Sequence, residues 1–167
     1  MAKLLKKQDS RRIFIETLIA LAEKDPRIVL IVPDVGFHYI EEFQRKFPDR
    51  FFNFGVTEEA TMLIASAMAL SGLKPYVYSM INFVTFRVHE VVRNAVGLHN
   101  ADVKILGVKG SKGYKFLGFS HNLVSKTEEI DFLKKIPNFE CFAPPKKKVK
   151  ETIEETHKNN KPTYIRL

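Results

Sequence analysis

Three stretches of this chain carry side chains able to do chemistry. The first is Phe51-Phe52-Asn53-Phe54-Gly55-Val56-Thr57-Glu58-Glu59-Ala60. Its aromatic run suits a short strand, Gly55 suits a tight strand-to-helix turn, and Thr57 stands where a helix N-cap belongs. Glu58 and Glu59 then fall in a first helical turn, where negative charge is favoured. Ala60 to Leu70 is almost wholly apolar, which predicts a helix buried nearly all round. A carboxylate at the mouth of such a helix is either a cap or a placed acid-base group, and pattern alone favours the cap.

The second stretch is Tyr78-Ser79-Met80-Ile81-Asn82-Phe83, with Arg87, Glu90, Arg93 and Asn94 following. Phe83 and Phe86 read as core residues of an amphipathic helix, or as walls of a pocket for a flat ligand. The core reading is preferred for Phe86. The third is the glycine- and lysine-rich loop from Lys109 to Ser125, which contains Gly118-Phe119-Ser120-His121-Asn122. Long connections of this kind are often functional. A lone loop histidine is usually a surface residue, yet its chemistry suits proton transfer at neutral pH.

The elements that must position these groups follow from periodicity. Helices are expected over 11–24, 39–47, 60–70, 82–98, 127–135 and 146–157. Strands are expected at 28–32, 51–54, 75–79, 103–108, 139–142 and 163–167. Ile28 to Val32 is an aliphatic run of the kind covered on both faces. Strictly alternating strands and helices predict an α/β, doubly wound, mainly parallel sheet with helices on both faces. In such sheets ligands bind at the carboxyl ends of strands, and all three stretches follow strands.

Composition sets bounds. A chain of 167 residues, 45% hydrophobic, is long enough for one domain and short for two. Residues 1–8 read as a basic N-terminal tail and 9–167 as a single domain. One cysteine, Cys141, excludes a disulfide framework. That, with no signal core and no apolar run long enough for a membrane span, gives a cytoplasmic expectation. The net charge of +8 is spread, with clusters at Lys3–Lys7 and Lys146–Lys150. No nucleic-acid motif accompanies them, so solvated faces are the expectation rather than a nucleic-acid surface.

Taken together, the three stretches resemble the pyrimidine-binding (central) domain of transketolases and related thiamine-diphosphate enzymes. Gly55-Val56-Thr57-Glu58 resembles the family's G-[IV]-x-E segment, whose glutamate touches N1′ of the cofactor's aminopyrimidine; Glu58, not Glu59, matches it. Phe83 matches the central aromatic of the aminopyrimidine pocket, and Met80 stands where the family often has phenylalanine. His121 matches a histidine that faces substrate and moves protons on the sugar. Arg11 matches a phosphate-binding arginine, while His38 and Lys109 replace a serine and a histidine there; the three are candidates for an anion site. Leu117 departs most, since the family has an acidic residue at that position to grip a substrate hydroxyl.

The resemblance implies a transferase that carries a two-carbon ketol unit between sugars, with thiamine diphosphate as cofactor. No Gly-Asp-Gly…Asn pattern is present, so Mg2+ and the diphosphate are expected on a partner domain or chain. The chain would then be a split subunit or an excised domain, inactive alone and at least dimeric or part of a hetero-oligomer. The apolar Leu117 with Phe116 and Phe119, beside Lys109, Lys112 and Lys115, points to a phosphorylated or nucleotide-linked sugar, or a deoxy sugar, as substrate. Two alternatives stand beside this reading: a beta-type subunit of a 2-oxoacid dehydrogenase, and a non-catalytic assembly module with the same fold.

Overall fold

The computed structural model describes residues 9–110 and 112–167, without the side chains of 112 and 113. The expected basic tail, with its Lys3–Lys7 cluster, and the Lys112 side chain lie outside the described residues. The elements run α1 (Ser10–Ala22), β1 (Ile28–Val32), α2 (Glu41–Lys46), β2 (Phe51–Asn53), α3 (Glu58–Leu70), β3 (Lys74–Met80), α4 (Ile81–Val84), α5 (His89–Val91), β4 (Lys104–Val108), α6 (Glu128–Leu133), β5 (Glu140–Phe142), α7 (Val149–Thr156) and β6 (Thr163–Arg166).

All five residues of β1 are buried, as its aliphatic run predicts. β1 lies inside a six-stranded sheet of order β2-β1-β3-β4-β6-β5, parallel at every pairing. Strand alternation divides the core into two layers. Leu30, Val32, Tyr78 and Leu106 face α1, α2 and α7, meeting Phe14, Phe43 and Ile153. Val29, Ile31, Val77 and Ile105 face the other helices, meeting Met62, Ala65, Val92 and Leu133. The chain leaves β1 toward β2 on one side and β3 on the other. A crevice therefore opens at the carboxyl ends of β1 and β3.

Four expectations change. The helix expected over 82–98 is broken: α4 ends at Val84, Thr85 is non-helical, and α5 passes into a π-helical turn over Val92–Leu98. The Thr85 hydroxyl donates to the Ile81 carbonyl at 2.7 Å, competing with the helix ladder among β-branched neighbours. The π turn is where Ser66 Oγ donates to the Ala95 carbonyl at 2.6 Å, an insertion from α3 that shifts the local ladder. Helix α3 is buried only where the sheet and the segment after β3 cover it; Leu63 is 47% and Leu70 59% exposed on its uncovered side.

Thr57 occupies the N-cap position without capping. Its hydroxyl donates to the Phe54 carbonyl at 2.9 Å, which closes the turn instead. The loop after β4 is not structureless, since 3-10 turns span Lys112–Ser120, interrupted at Gly118 where φ is 63° and ψ −154°. No helix among the described residues is long and apolar enough to cross a membrane.

Candidate functional site

The strand ends bring three of the candidate residues together. Gly55, at φ 71°, turns the chain out of β2, and Asn53 Oδ1 accepts from the N–H groups of Gly55 and Asp34, both at 3.0 Å. This ties the β1 and β2 loops and sets the start of α3. The helical register then turns Glu58 inward, 5% exposed, and leaves Glu59 exposed. A buried carboxylate needs a partner, and Arg87 Nη1 donates to Glu58 Oε1 at 2.6 Å.

Arg87 is held by the broken helix after β3, which brings it across the Phe83 ring. The guanidinium carbon lies 3.9 Å from the ring centroid. Phe83 itself is 9% exposed and meets His121 edge-on, with centroids 4.9 Å apart and planes at 78°. Glu58, Arg87, Phe83 and His121 therefore form one continuous row along the carboxyl edge. His121 Nδ1 lies 2.8 Å from Ser120 Oγ, and Asn82 Nδ2 secures the histidine's loop by donating to the carbonyls of Phe119 at 2.7 Å and Asn122 at 3.3 Å.

Hollows flank Arg87 on both sides. One, of about 470 Å³, is walled by Val56, Glu58 and Leu63; the other, of about 420 Å³, by Phe83, Phe86, Phe119 and Val124. Phe86, expected in the core, is 36% exposed and leans on Phe132 with ring centroids 5.5 Å apart. The helix break at Thr85 turns it outward.

The remaining candidates line a separate groove of about 450 Å³ at the β1/β3 crevice. Arg11, His38, Met80 and Lys109 all border it. Met80 ends β3 and faces this groove. Arg11 is tied to Asp9 at 2.9 Å and stacks over Tyr39 at 4.3 Å. Burial pushes the Asp9 carboxyl up, but hydrogen bonds from Tyr39 and the Arg12 N–H, with Arg11 beside it, outweigh that and hold it below its usual value. His38 sits at φ 72°, a left-handed conformation fixed because its N–H donates to Glu41 Oε1 at 2.6 Å and its carbonyl accepts from Arg12 Nη2 at 2.8 Å. Lys109 also borders a hollow of about 260 Å³ with His121, so it joins the groove to the row. Leu117 is half-buried, and its carbonyl accepts from Ser120 Oγ at 2.8 Å.

Sequence reasoning assigned no role to Arg87, Asn82 or Tyr39. The four-residue spacing of Phe83 and Arg87 would signal a ring contact only in a continuous helix, and this one breaks at Thr85 between them. The pairing of Arg87 with Glu58 spans 29 positions and had no local signature. Among the described residues no group of three or more His, Cys, Asp or Glu is placed to hold a metal ion.

The parallel sheet of order β2-β1-β3-β4-β6-β5, with helices on both faces and its crevice at the ends of β1 and β3, defines a doubly wound α/β domain. The family model described as "Transketolase, pyrimidine binding domain" matches residues 6–167, and the chain belongs to that family. A Methanocaldococcus jannaschii protein with the provisional name of a transketolase C-terminal section is 32% identical over 157 residues, covering 91% of this chain and 48% of that protein. The 1-deoxy-D-xylulose-5-phosphate synthase of Desulfitobacterium hafniense is 36% identical over 138 residues, covering 80% and 20%. One of the subunits of the Phocaeicola vulgatus apulose-4-phosphate transketolase is 28% identical, covering 94% and 50%. A solved structure described as "Split gene transketolase, inactive beta4 tetramer" superposes with a TM-score of 0.83 at 25% identity, covering 95% of this chain and 51% of that one. The chain thus spans about half or less of the length of these relatives.

Proposed function

We propose that this chain is the pyrimidine-binding part of a transketolase-type transferase that uses thiamine diphosphate to move a two-carbon ketol unit between sugars. The observation that carries this reading is the row of Glu58, Arg87, Phe83 and His121, in which a buried carboxylate and an aromatic ring face the same planar cation. An aminopyrimidine asks for the same two partners, an acceptor at its edge and a ring against its face, so the residues fit the group. Thiamine diphosphate, when bound, supplies the electron sink for carbon–carbon bond chemistry.

Glu58 would hold a proton at the ring nitrogen, and its burial keeps water from competing for that bond. Phe83 would orient the ring. His121, half-exposed and steadied by Ser120 and Asn82, would exchange protons with substrate hydroxyls. Arg11, His38 and Lys109 would receive a substrate phosphate in the adjoining groove.

In this reading the diphosphate and Mg2+ belong to a partner chain or domain, the chain is inactive alone, and it works in the cytoplasm. The incomplete span of its relatives and the exposed apolar rim of Val56, Leu63, Phe119 and Val124 support a partner. Leu117 offers no side-chain hydrogen bond to a sugar hydroxyl. With the deoxy-sugar synthase among the relatives, it favours a second reading in which the product or acceptor is a deoxy sugar phosphate.

The test is reconstitution with a diphosphate-binding partner. Glu58→Gln is expected to abolish ketol transfer while leaving the circular dichroism spectrum unchanged. Full turnover by that variant would overturn the assignment. Comparing ketose donors with 2-oxoacids separates the transferase from a 2-oxoacid dehydrogenase subunit, and absence of cofactor binding in the assembly would favour a non-catalytic module.

A further inference from the structure

We infer that Arg87 is a built-in placeholder for the cofactor's aminopyrimidine, and that it must swing away before the ring can bind. The inference rests on the pyrimidine-site reading of Glu58 and Phe83. A guanidinium is flat, cationic and rich in N–H donors. Arg87 uses it to reach both groups that an aminopyrimidine would require: a hydrogen bond of 2.6 Å to Glu58 Oε1, and a guanidinium carbon over the Phe83 ring, 3.9 Å from its centroid. Both partners are thereby occupied by the chain itself.

Three further features fit a placeholder better than a fixed structural ion pair. Glu58 is buried, and Arg87 is its only hydrogen-bond or ion-pair partner among the described residues. Without that guanidinium the carboxylate would stand desolvated and unpaired, so the closed state relieves a penalty until a ligand does the same. The Arg87 side chain is 44% exposed and has no second hydrogen-bonded partner among the described residues, so it can leave without unpacking the core. The hollows on either side of it, bordered by Leu63 and by Phe119, leave room to move. Arg87 and a pyrimidine then compete for one carboxylate and one ring face. The apparent affinity of the free chain is lowered by the fraction of time the site is open.

The experiment uses the free chain and 4-amino-5-hydroxymethyl-2-methylpyrimidine, followed by amide chemical shifts in an NMR titration. Circular dichroism confirms that each variant is folded. Arg87→Ala is expected to bind the pyrimidine about tenfold or more tightly than the wild type, corresponding to a site closed about nine-tenths of the time. Adding Glu58→Gln should abolish the gain. Arg87→Lys keeps the charge but has no guanidinium to place over Phe83, so it should gain most of the same affinity. If Arg87→Lys stays at the wild-type level while Arg87→Ala gains, the obstacle is charge alone and the placeholder is wrong. Equal, Glu58-dependent binding by wild type and Arg87→Ala also overturns the placeholder but leaves the pyrimidine site standing. If no variant binds, the pyrimidine-site reading fails and takes the placeholder with it.

Discussion

Replacing Asp102 with asparagine should destabilise the chain from the end of the sheet opposite the candidate site. The Asp102 carboxylate is shared by two ammonium groups, Lys74 Nζ at 2.7 Å and Lys104 Nζ at 2.6 Å. Both lysines begin central strands, and they are 3% and 0% exposed. Removing one partner of a buried pair costs about 3–5 kcal/mol, because the other charge stays buried. Here both ammonium groups keep neutral acceptors. Lys74 retains the His157 carbonyl and Asn160 Oδ1, each at 2.8 Å; Lys104 retains Asn159 Oδ1 at 2.6 Å and the Lys161 carbonyl at 2.8 Å. The expected loss is therefore at the lower end, about 3 kcal/mol.

The chain has no tryptophan, so urea unfolding followed by far-ultraviolet circular dichroism is the suitable assay. Adding Lys104→Met to Asp102→Asn removes one stranded charge and should recover part of the loss. An unchanged midpoint for Asp102→Asn, or a double variant no better than the single, would contradict this account of the cluster. The same cluster sets a pH dependence. Burial pulls the Lys104 ammonium down from 10.5 to about 8, against the opposing pull of Asp102. The unfolded chain therefore holds more protons than the folded one between those values, and stability rises with pH across that window. The shift corresponds to roughly 3 kcal/mol at most. Tyr76, Tyr78 and Tyr164, each raised by burial, act in the opposite sense above the ordinary tyrosine range. The Cys141 thiol, pushed up to about 12 by burial, acts in that opposite sense from about pH 9, so stability should climb above about pH 8 and stop rising near pH 9.

Asn82→Ala removes the donor that ties the start of α4 to the carbonyls of Phe119 and Asn122, and should speed proteolytic cleavage within 114–125 while changing global stability by about 1 kcal/mol; a cleavage rate equal to wild type would count against the role given to Asn82. Gly36→Ala places a Cβ 2.8 Å from Tyr78 Cε1 at φ 95°, so it should cost about 1–3 kcal/mol and narrow the groove that Arg11, His38 and Lys109 border. Thermal unfolding reads that loss, and a melting point within a degree of wild type would contradict it.

Element types were legible because they depend on short-range periodicity. The Ile28–Val32 run and the alternation of strands with helices carried the parallel sheet. The placement of Gly55, Phe83 and His121 after strands carried the shared edge. The choice of Glu58 over Glu59 came from resemblance; the helical register buries the first carboxylate and leaves the second in solvent.

The errors share a cause as well. Over 82–98 the apolar spacing suits a helix, but the Thr85 back-bond and the insertion of Ser66 from α3 act on the ladder from outside that pattern. The apolar composition of Ala60–Leu70 was read as burial, although composition does not say how many faces a neighbour will cover. Local sequence was enough to set the order of elements and the strand ends at which Glu58, Phe83 and His121 meet. It took the packed chain to bring Arg87 to Glu58 across 29 positions, to let Lys109 join two hollows, and to give Asp102 two lysines to serve. Side-chain pairing at such separations depends on where whole strands and helices come to rest against one another, and no local spacing encodes that.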